Sequence, residues 1–228
     1  MIVLAVSYNY AIVILSAGIA VLAAWTSLDL AERVTAARGA IRLAWLIGGA
    51  LAMGIGIWSM HYTAMLAFRL PVPVLYYWPT VLLSLPAGIV ASAVALFVVS
   101  RARLGWPAAV AGSVCQGAGI AALHYIAMDS MRFAGMHNYS PAVVALSILF
   151  AIAGSLLSLR LTFLLRNEAA GQKRRRVASA LLMGAAISLM HYTGMAAATF
   201  TSSLSVLNPV HAVRVSLLGT AAFALGLI

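Results

Sequence analysis

Long apolar runs separated by short polar stretches make up most of the chain. They occupy residues 10–28, 43–68, 74–100, 107–133, 141–165, 177–200 and 210–228. A helix needs about 20 mainly apolar residues to cross the hydrocarbon core of a bilayer. The pattern therefore predicts an all-α integral membrane protein, a bundle of seven transmembrane helices.

One stretch recurs three times, near the end of every second run. It occupies residues 54–65 and returns in diverged form over residues 117–128 and 184–195, and its histidines are 63 and 67 residues apart. Each unit is thus long enough for two helices of opposite direction, and internal repeats of this kind build pseudo-symmetric assemblies. We predict three two-helix repeats over residues 8–68, 74–133 and 141–200, followed by the seventh helix. The bundle should be pseudo-threefold, with the even-numbered helices inside.

Each copy of this stretch places a histidine at membrane depth, where an ionisable side chain is costly and marks a functional site by default. Residues four apart on a helix are offset by only about 40°, so His61 and Met65 share one face. The second and third copies repeat this pairing. The predicted ligands of a shared site are His61, His124, His191, Met65, Met128 and Met195.

A second group of candidates lies beside this face. Residues next to the histidines point about 100° away from them, and the methionine before the histidine is replaced by Leu123 in the middle copy. The tyrosines after the histidines are either interface aromatics or hydrogen-bond partners of a neighbouring helix's histidine. Two further histidines fall in or next to outer loops, either solvated or at an entrance. The second group is Met60, Met190, Tyr62, Tyr125, Tyr192, His137 and His211.

The composition agrees with a membrane protein, since 64% of residues are hydrophobic, 8% are charged and the mean hydropathy is +1.05. The net charge of +10 is explained by topology, so no nucleic-acid partner is expected. Only Arg69, Arg132 and Arg214 lie toward one surface, whereas the other set is Arg33, Arg38, Arg42, Arg101, Arg103, Arg160, Arg166, Lys173, Arg174, Arg175 and Arg176. The positive-inside rule then puts the amino terminus outside, the carboxyl end in the cytoplasm and all five histidines toward the outer side.

The residue types of the shared site favour copper. Thioether sulfur is soft and prefers Cu(I), and imidazole accepts copper in either oxidation state. The sequence has no cysteine cluster, no paired carboxylates and no glycine-rich phosphate loop, which argues against an enzyme, an iron–sulfur protein or a nucleotide-binding domain. The structural alternative is that the histidines are hydrogen-bonded polar residues between helices and that the methionines are flexible packing.

The tetrapeptides Met60-His61-Tyr62-Thr63 and Met190-His191-Tyr192-Thr193, with Leu123-His124-Tyr125-Ile126 between them, resemble the MHYT-domain integral membrane sensors of bacteria. The resemblance covers essentially the whole chain. It implies a sensor domain of the bacterial inner membrane that binds copper through Met, His and Tyr near the outer face. It also implies sensing of O2, CO or NO, coupled to cytoplasmic domains that synthesise or hydrolyse cyclic di-GMP.

We therefore expect a sensor of a diatomic gas or of redox state, embedded in the lipid bilayer. The last apolar run stops without a basic flank, so we expect a cytoplasmic output domain to follow, such as a diguanylate cyclase or phosphodiesterase, through which a homodimer could form. The sequence leaves three alternatives open: a haem-binding membrane electron carrier, a transporter of copper or small solutes, and a purely structural anchor.

Overall fold

The computed structural model describes residues 2–166, 173–203 and 210–226. These residues form seven helices, and the first six are long and apolar enough to cross a membrane. The helices are α1 (Tyr10–Ala36), α2 (Gly39–Ala67), α3 (Trp78–Val99), α4 (Trp106–Asp129), α5 (Pro141–Leu165), α6 (Lys173–Ala196) and α7 (Val215–Gly226). The hydropathy prediction of a helical membrane bundle is therefore confirmed at this level.

The helix ends follow local chemistry. The Asn9 side chain caps α1 by accepting a hydrogen bond from the backbone N–H of Ala11 at 3.1 Å. A proline stands in the first turn of α3, α4 and α5, where its missing N–H leaves no backbone bond unmade. The helix α1 continues to Ala36 rather than ending at residue 28, because Asp29 and Glu32 stay helical and pair with Arg176 of α6.

The helices α1 to α6 form a closed ring in which each packs against the next and α6 packs against α1. Glycines at the start of the three repeated stretches permit this packing. A Cβ added at Gly54, Gly117 or Gly184 would lie 2.7, 2.7 or 2.6 Å from atoms of α3, α5 or α1. These contacts explain why small residues stand at these positions, since only they let neighbouring backbones approach so closely.

The helix α7 lies outside the ring and packs against α2. It has 12 residues, or about 18 Å at 1.5 Å per residue, which is shorter than the hydrocarbon core of about 30 Å. Residues 227 and 228 of the predicted seventh span lie outside the described residues. A seventh crossing therefore stays a prediction.

Short antiparallel strands cover one end of the bundle, which we call the strand end. The pairs are β1 (Ser7–Tyr8) with β2 (Phe68–Arg69), and β5 (Gly135–Tyr139) with β6 (Ala198–Ser202). A third sheet has the order β4 (Met131–Arg132), β3 (Leu75–Tyr77) and β7 (Ala212–Arg214).

These strands correct the predicted spans. The limits 43–68, 74–100, 107–133, 177–200 and 210–228 took in residues that belong to β2, β3, β4, β6 and β7, so that α7 begins at Val215 and not at residue 210. Such residues are apolar enough to extend a hydropathy window. Their backbone groups bond across the end of the bundle instead of along a helix, and the strands contribute buried side chains such as Tyr76 and Phe200.

The opposite end, which we call the basic end, holds the connections from α1 to α2 and from α3 to α4 and, among the described residues, most of the arginines. Arg176 anchors α6 to α1 through Asp29 at 2.5 Å and Glu32 at 3.3 Å, and its guanidinium lies over the Trp25 ring. Arg166, at the end of α5, donates to the backbone carbonyl of Val99 at the end of α3. These two arginines therefore link α6 to α1 and α5 to α3 at the basic end.

Candidate metal centre

The three repeated histidines meet at the centre of the ring. His61 of α2, His124 of α4 and His191 of α6 are 1%, 0% and 1% exposed. Their ring centroids are 5.1, 4.9 and 5.0 Å apart, and each pair of rings is close to perpendicular. One nitrogen from each ring can be chosen so that all three atoms lie within 4.8 Å of one another.

Most of these ring nitrogens have no hydrogen-bond partner. Nδ1 of His61 and Nδ1 of His191 are 3.2 Å apart, but Nε2 of both residues and both nitrogens of His124 are buried and unpartnered. Buried polar atoms are nearly always paired in native structures, so such a group of orphaned nitrogens needs an explanation. Imidazole nitrogens about 2.0–2.1 Å from one metal ion would lie about 3.3 Å apart in a tetrahedral site. The three histidines could hold a metal ion with small movements.

Gly194 of α6 makes space for one of these rings, and sequence reasoning missed its role. A Cβ built at Gly194 would overlap Nε2 of His124 and lie 2.9 Å from its Cδ2. The matching positions in the other two copies are Ala64 and Ala127. The one sign of this role in the sequence is that the third copy has glycine where the other two have alanine. That difference can be interpreted only when the packing of α6 against His124 is known.

The three methionines that follow the histidines by one turn form the next layer toward the strand end. Met65, Met128 and Met195 are 1%, 0% and 3% exposed and belong to one apolar cluster. The layer therefore lies beside the histidines, as the helical spacing predicts for candidate ligands. Whether the thioethers bind metal stays a prediction.

Three phenylalanines close the strand end above the methionines. Phe68, Phe133 and Phe200 are buried in the same cluster, and the Phe200 ring lies 5.1 Å from Phe68 and 5.9 Å from Phe133 between centroids. Each phenylalanine follows its helix into a strand or the adjoining turn. The site is thus covered by two apolar layers on this side.

The two methionines that precede histidines diverge in position. Met60 packs against Ile19 and Ala20 of α1, in a cluster separate from that of the other methionines. Met190 belongs to the central cluster and also lines a cavity on the basic side of the histidines. The two residues are therefore not equivalent in the structure, although they are in the motif.

The tyrosines lie edge-on to their own histidines, with centroids 4.8 to 4.9 Å apart. The hydroxyl of Tyr125 lies 2.6 Å from Ser147 Oγ, and that of Tyr192 lies 2.9 Å from Ser16 Oγ. Each serine donates its own proton to a carbonyl in its own helix, so the tyrosine must be the donor. These tyrosines therefore bond serines of neighbouring helices rather than histidines. In the first copy, the matching serine, Ser84, accepts from the Trp58 indole at 3.1 Å.

The two loop histidines lie apart from the centre. His137 is half-buried on β5 with its ring edge against Tyr139, at 5.2 Å between centroids. Burial lowers the pKa of His137, partly offset by Asp129, while Arg132 lowers it further. His211 is exposed beside Trp78. Among the described residues, the group that could hold a metal contains neither of them.

Comparison with known proteins identifies the family. A family model described as MHYT, "Bacterial signalling protein N terminal repeat", matches residues 54–112, 117–178 and 184–228. The three matched segments begin at the three glycines that open the repeated stretches. The chain belongs to the MHYT family. Its long apolar helices and its family imply a multi-pass membrane protein, and its family places it among sensor and signalling proteins.

The relatives of this MHYT chain are longer signalling proteins. It is 47% identical over 194 residues to the bifunctional diguanylate cyclase/cyclic di-GMP phosphodiesterase MucR of Pseudomonas aeruginosa. It is 39% identical to the signaling protein YkoW of Bacillus subtilis and 38% identical to the cyclic di-GMP phosphodiesterase NbdA of Pseudomonas aeruginosa. These matches cover 85%, 88% and 84% of the chain. No solved structure matches it.

The matches cover only a quarter or so of each relative, 28%, 25% and 24% of their lengths. The region shared with this chain is the one that the MHYT model describes. This is consistent with a domain that is not itself an enzyme and that belongs to the sensory part of such proteins.

Proposed function

We propose that this MHYT domain is a membrane-embedded sensor that holds copper on His61, His124 and His191 and responds to a diatomic gas or to redox state. The observation that carries the proposal is the group of four unpartnered ring nitrogens on three fully buried histidines at the centre of the ring. A metal ion would satisfy these atoms, because the lone pair of a neutral imidazole nitrogen is a common metal ligand.

The surrounding side chains favour copper over zinc. Met65, Met128 and Met195 form the adjacent layer, and thioether sulfur is a ligand for Cu(I) but is rare at zinc. A methionine side chain has three rotatable bonds. The sulfur of one of these three methionines can therefore turn toward the metal ion and fill a coordination position that the histidines leave open. Copper would supply a redox-active centre able to bind a diatomic gas. A haem is less well supported, since two axial histidines stand on opposite faces of a porphyrin and these rings are in mutual edge contact.

The proposed topology follows from charge. The basic end carries most of the arginines, and the positive-inside rule assigns such an end to the cytoplasm. The strand end and the copper site then face the outer side of the bacterial inner membrane, with the amino terminus outside. We further propose three two-helix repeats around a pseudo-threefold axis, with α7 as a seventh span leading inward. The matching close contacts at Gly54, Gly117 and Gly184 support the repeat.

The output would be a change in cyclic di-GMP. MucR and NbdA carry the names of enzymes that make or hydrolyse this nucleotide, which supports a cytoplasmic output domain of that kind. We further propose that a homodimer forms through that domain. A ligand can shift a conformational equilibrium only by its differential affinity for the two states. The helix α2 bears His61 and packs against α7. A movement of α2 at the histidine site would therefore be passed directly to α7.

Metal analysis of the protein purified in mild detergent tests the proposal. After anaerobic reconstitution with Cu(I), we expect copper to be retained by the native chain and by His137→Ala, which removes a histidine outside the centre. The variants His61→Ala, His124→Ala and His191→Ala should each bind copper more weakly, and the triple variant should retain none. Absence of copper after reconstitution, or full retention by the triple variant, would refute a copper site on these histidines.

A further inference from the structure

A cavity of about 40 Å³ lies on the basic side of the histidines, near the axis of the ring. The helices α2, α4 and α6 contribute residues from matching positions, four and eight residues before each histidine. The lining from these positions is Ile57, Ile120, Ile187, Met53, Gln116 and Met183. Gln116 is the polar exception in its layer, where the other two copies have methionine.

Two unpartnered polar atoms line this cavity. Oε1 of Gln116 and Oγ of Ser155 have no hydrogen-bond partner, and the two residues are 4% and 3% exposed. To hold one water molecule, a cavity needs roughly 10–15 Å³ of space open to the centre of a water-sized sphere, together with a few polar partners. The cavity can therefore hold about three water molecules. Hydrogen bonds from these waters to Gln116 Oε1 and Ser155 Oγ would remove the free-energy cost of burying two polar atoms without partners.

A second, smaller cavity of about 10 Å³ extends the first toward the basic end. The two share Ser27, Met53 and Ser158 as lining residues. The smaller one reaches Val99 and Thr162, which lie in the last turns of α3 and α5. The string of cavities thus leads from the basic end of the bundle to within one layer of the histidines.

On the side toward the strand end, the two layers of side chains next to the histidines are apolar. The methionine layer and the three phenylalanines cover the centre toward the strand end, and all six side chains are buried in one apolar cluster. The isoleucine layer at residues 57, 120 and 187 is what separates the histidines from the cavity. A cavity lined by unpartnered polar residues therefore approaches the centre from the basic side.

We propose that this string of cavities is a water-filled half-channel, a site for a small cluster of water molecules anchored by Gln116 and Ser155. It connects the histidine centre with the basic end and not with the strand end. Water and protons then reach the centre across the isoleucine layer from that side. The proposal goes beyond the copper site and holds or fails whether or not metal binds.

Hydroxyl radicals generated in bound water by a millisecond X-ray pulse oxidise methionines next to that water, and mass spectrometry of peptides measures each rate. In lipid nanodiscs, Met53 and Met183 at the cavity should be oxidised severalfold faster than Met65 and Met128. These four side chains are all buried, at 7%, 4%, 1% and 0% exposure. Met53 also lines a separate pocket between α1, α2 and α7, so Met183 gives the decisive comparison. The Gln116→Leu variant should slow oxidation of Met53 and Met183.

The Ser92→Ala variant is the control, because Ser92 is buried and unpartnered but does not line either cavity. It should leave all four rates unchanged. Oxidation of Met53 and Met183 at the rates of Met65 and Met128 in the native chain would overturn the proposal, even if Gln116→Leu did not fold. Equal rates with and without the Gln116 amide would overturn its role as an anchor. Copper retention, measured separately, tests the proposed copper site on the three histidines.

Discussion

Replacing Gly194 by alanine should displace the His124 ring and weaken metal binding while leaving the bundle folded. The new methyl group would overlap Nε2 of His124 and would lie 2.9 Å from Cδ2 and 3.2 Å from Cε1. Non-bonded carbons are best separated by about 3.5–4.0 Å. The ring must therefore move by roughly 0.6 Å or more, or α6 must move away from α4.

The expected magnitude follows from the tightness of the site. Adding a methyl group to a packed interior typically costs about 1–3 kcal/mol. Disturbing the orientation of a metal ligand typically weakens metal binding by about 10–100-fold, which corresponds to about 1.4–2.8 kcal/mol. Alanine at the matching positions Ala64 and Ala127 shows that a methyl group suits this part of the helix, so the loss should come from the contact with His124.

A competition titration of Cu(I) against a chromophoric chelator, in detergent, measures the affinity, and thermal unfolding measures stability. The control is Gly48→Ala, because a Cβ at Gly48 of α2 would meet no atom within 4 Å. It should bind copper as the native chain does. If Gly194→Ala bound Cu(I) with native affinity and unfolded at the native temperature, the reasoning that α6 confines the His124 ring would be wrong.

Two further predictions concern contacts between helices. Tyr192→Phe removes the hydrogen bond to Ser16 and should lower the free energy of unfolding by about 1 kcal/mol, whereas Tyr10→Phe, at an exposed residue, should not change it. Arg176→Gln removes the partly exposed ion pairs between α6 and α1 and should cost about 0.5–1 kcal/mol, whereas Arg174→Gln at an exposed position should be neutral. Reversible denaturation in mixed detergent micelles measures both pairs, and equal losses in variant and control would contradict the assigned contact.

Hydropathy alone located the long helices well because the transfer of each apolar side chain from water to lipid is a local property. The fifth span was predicted over residues 141–165 and is observed as Pro141–Leu165. Helix periodicity likewise placed His61 and Met65 on one face, since a spacing of four residues is a property of a single helix. Errors arose at both ends of the bundle. At the strand end, backbone pairing between distant segments ended helices that hydropathy would have continued, whereas at the basic end α1 continues past the predicted limit to Ala36 because its charged residues stay helical.

The sequence by itself thus determined the membrane class, the helices and the repeated histidine face, since these depend on residues that are neighbours along the chain. Only the tertiary structure decided that Gly194 confines His124, that Tyr192 bonds Ser16 and that Gln116 faces a cavity. The first two pair residues 70 and 176 positions apart, and the cavity has walls from five helices. Such relations depend on how close and at what angle the helices pack, which no local pattern of residues encodes.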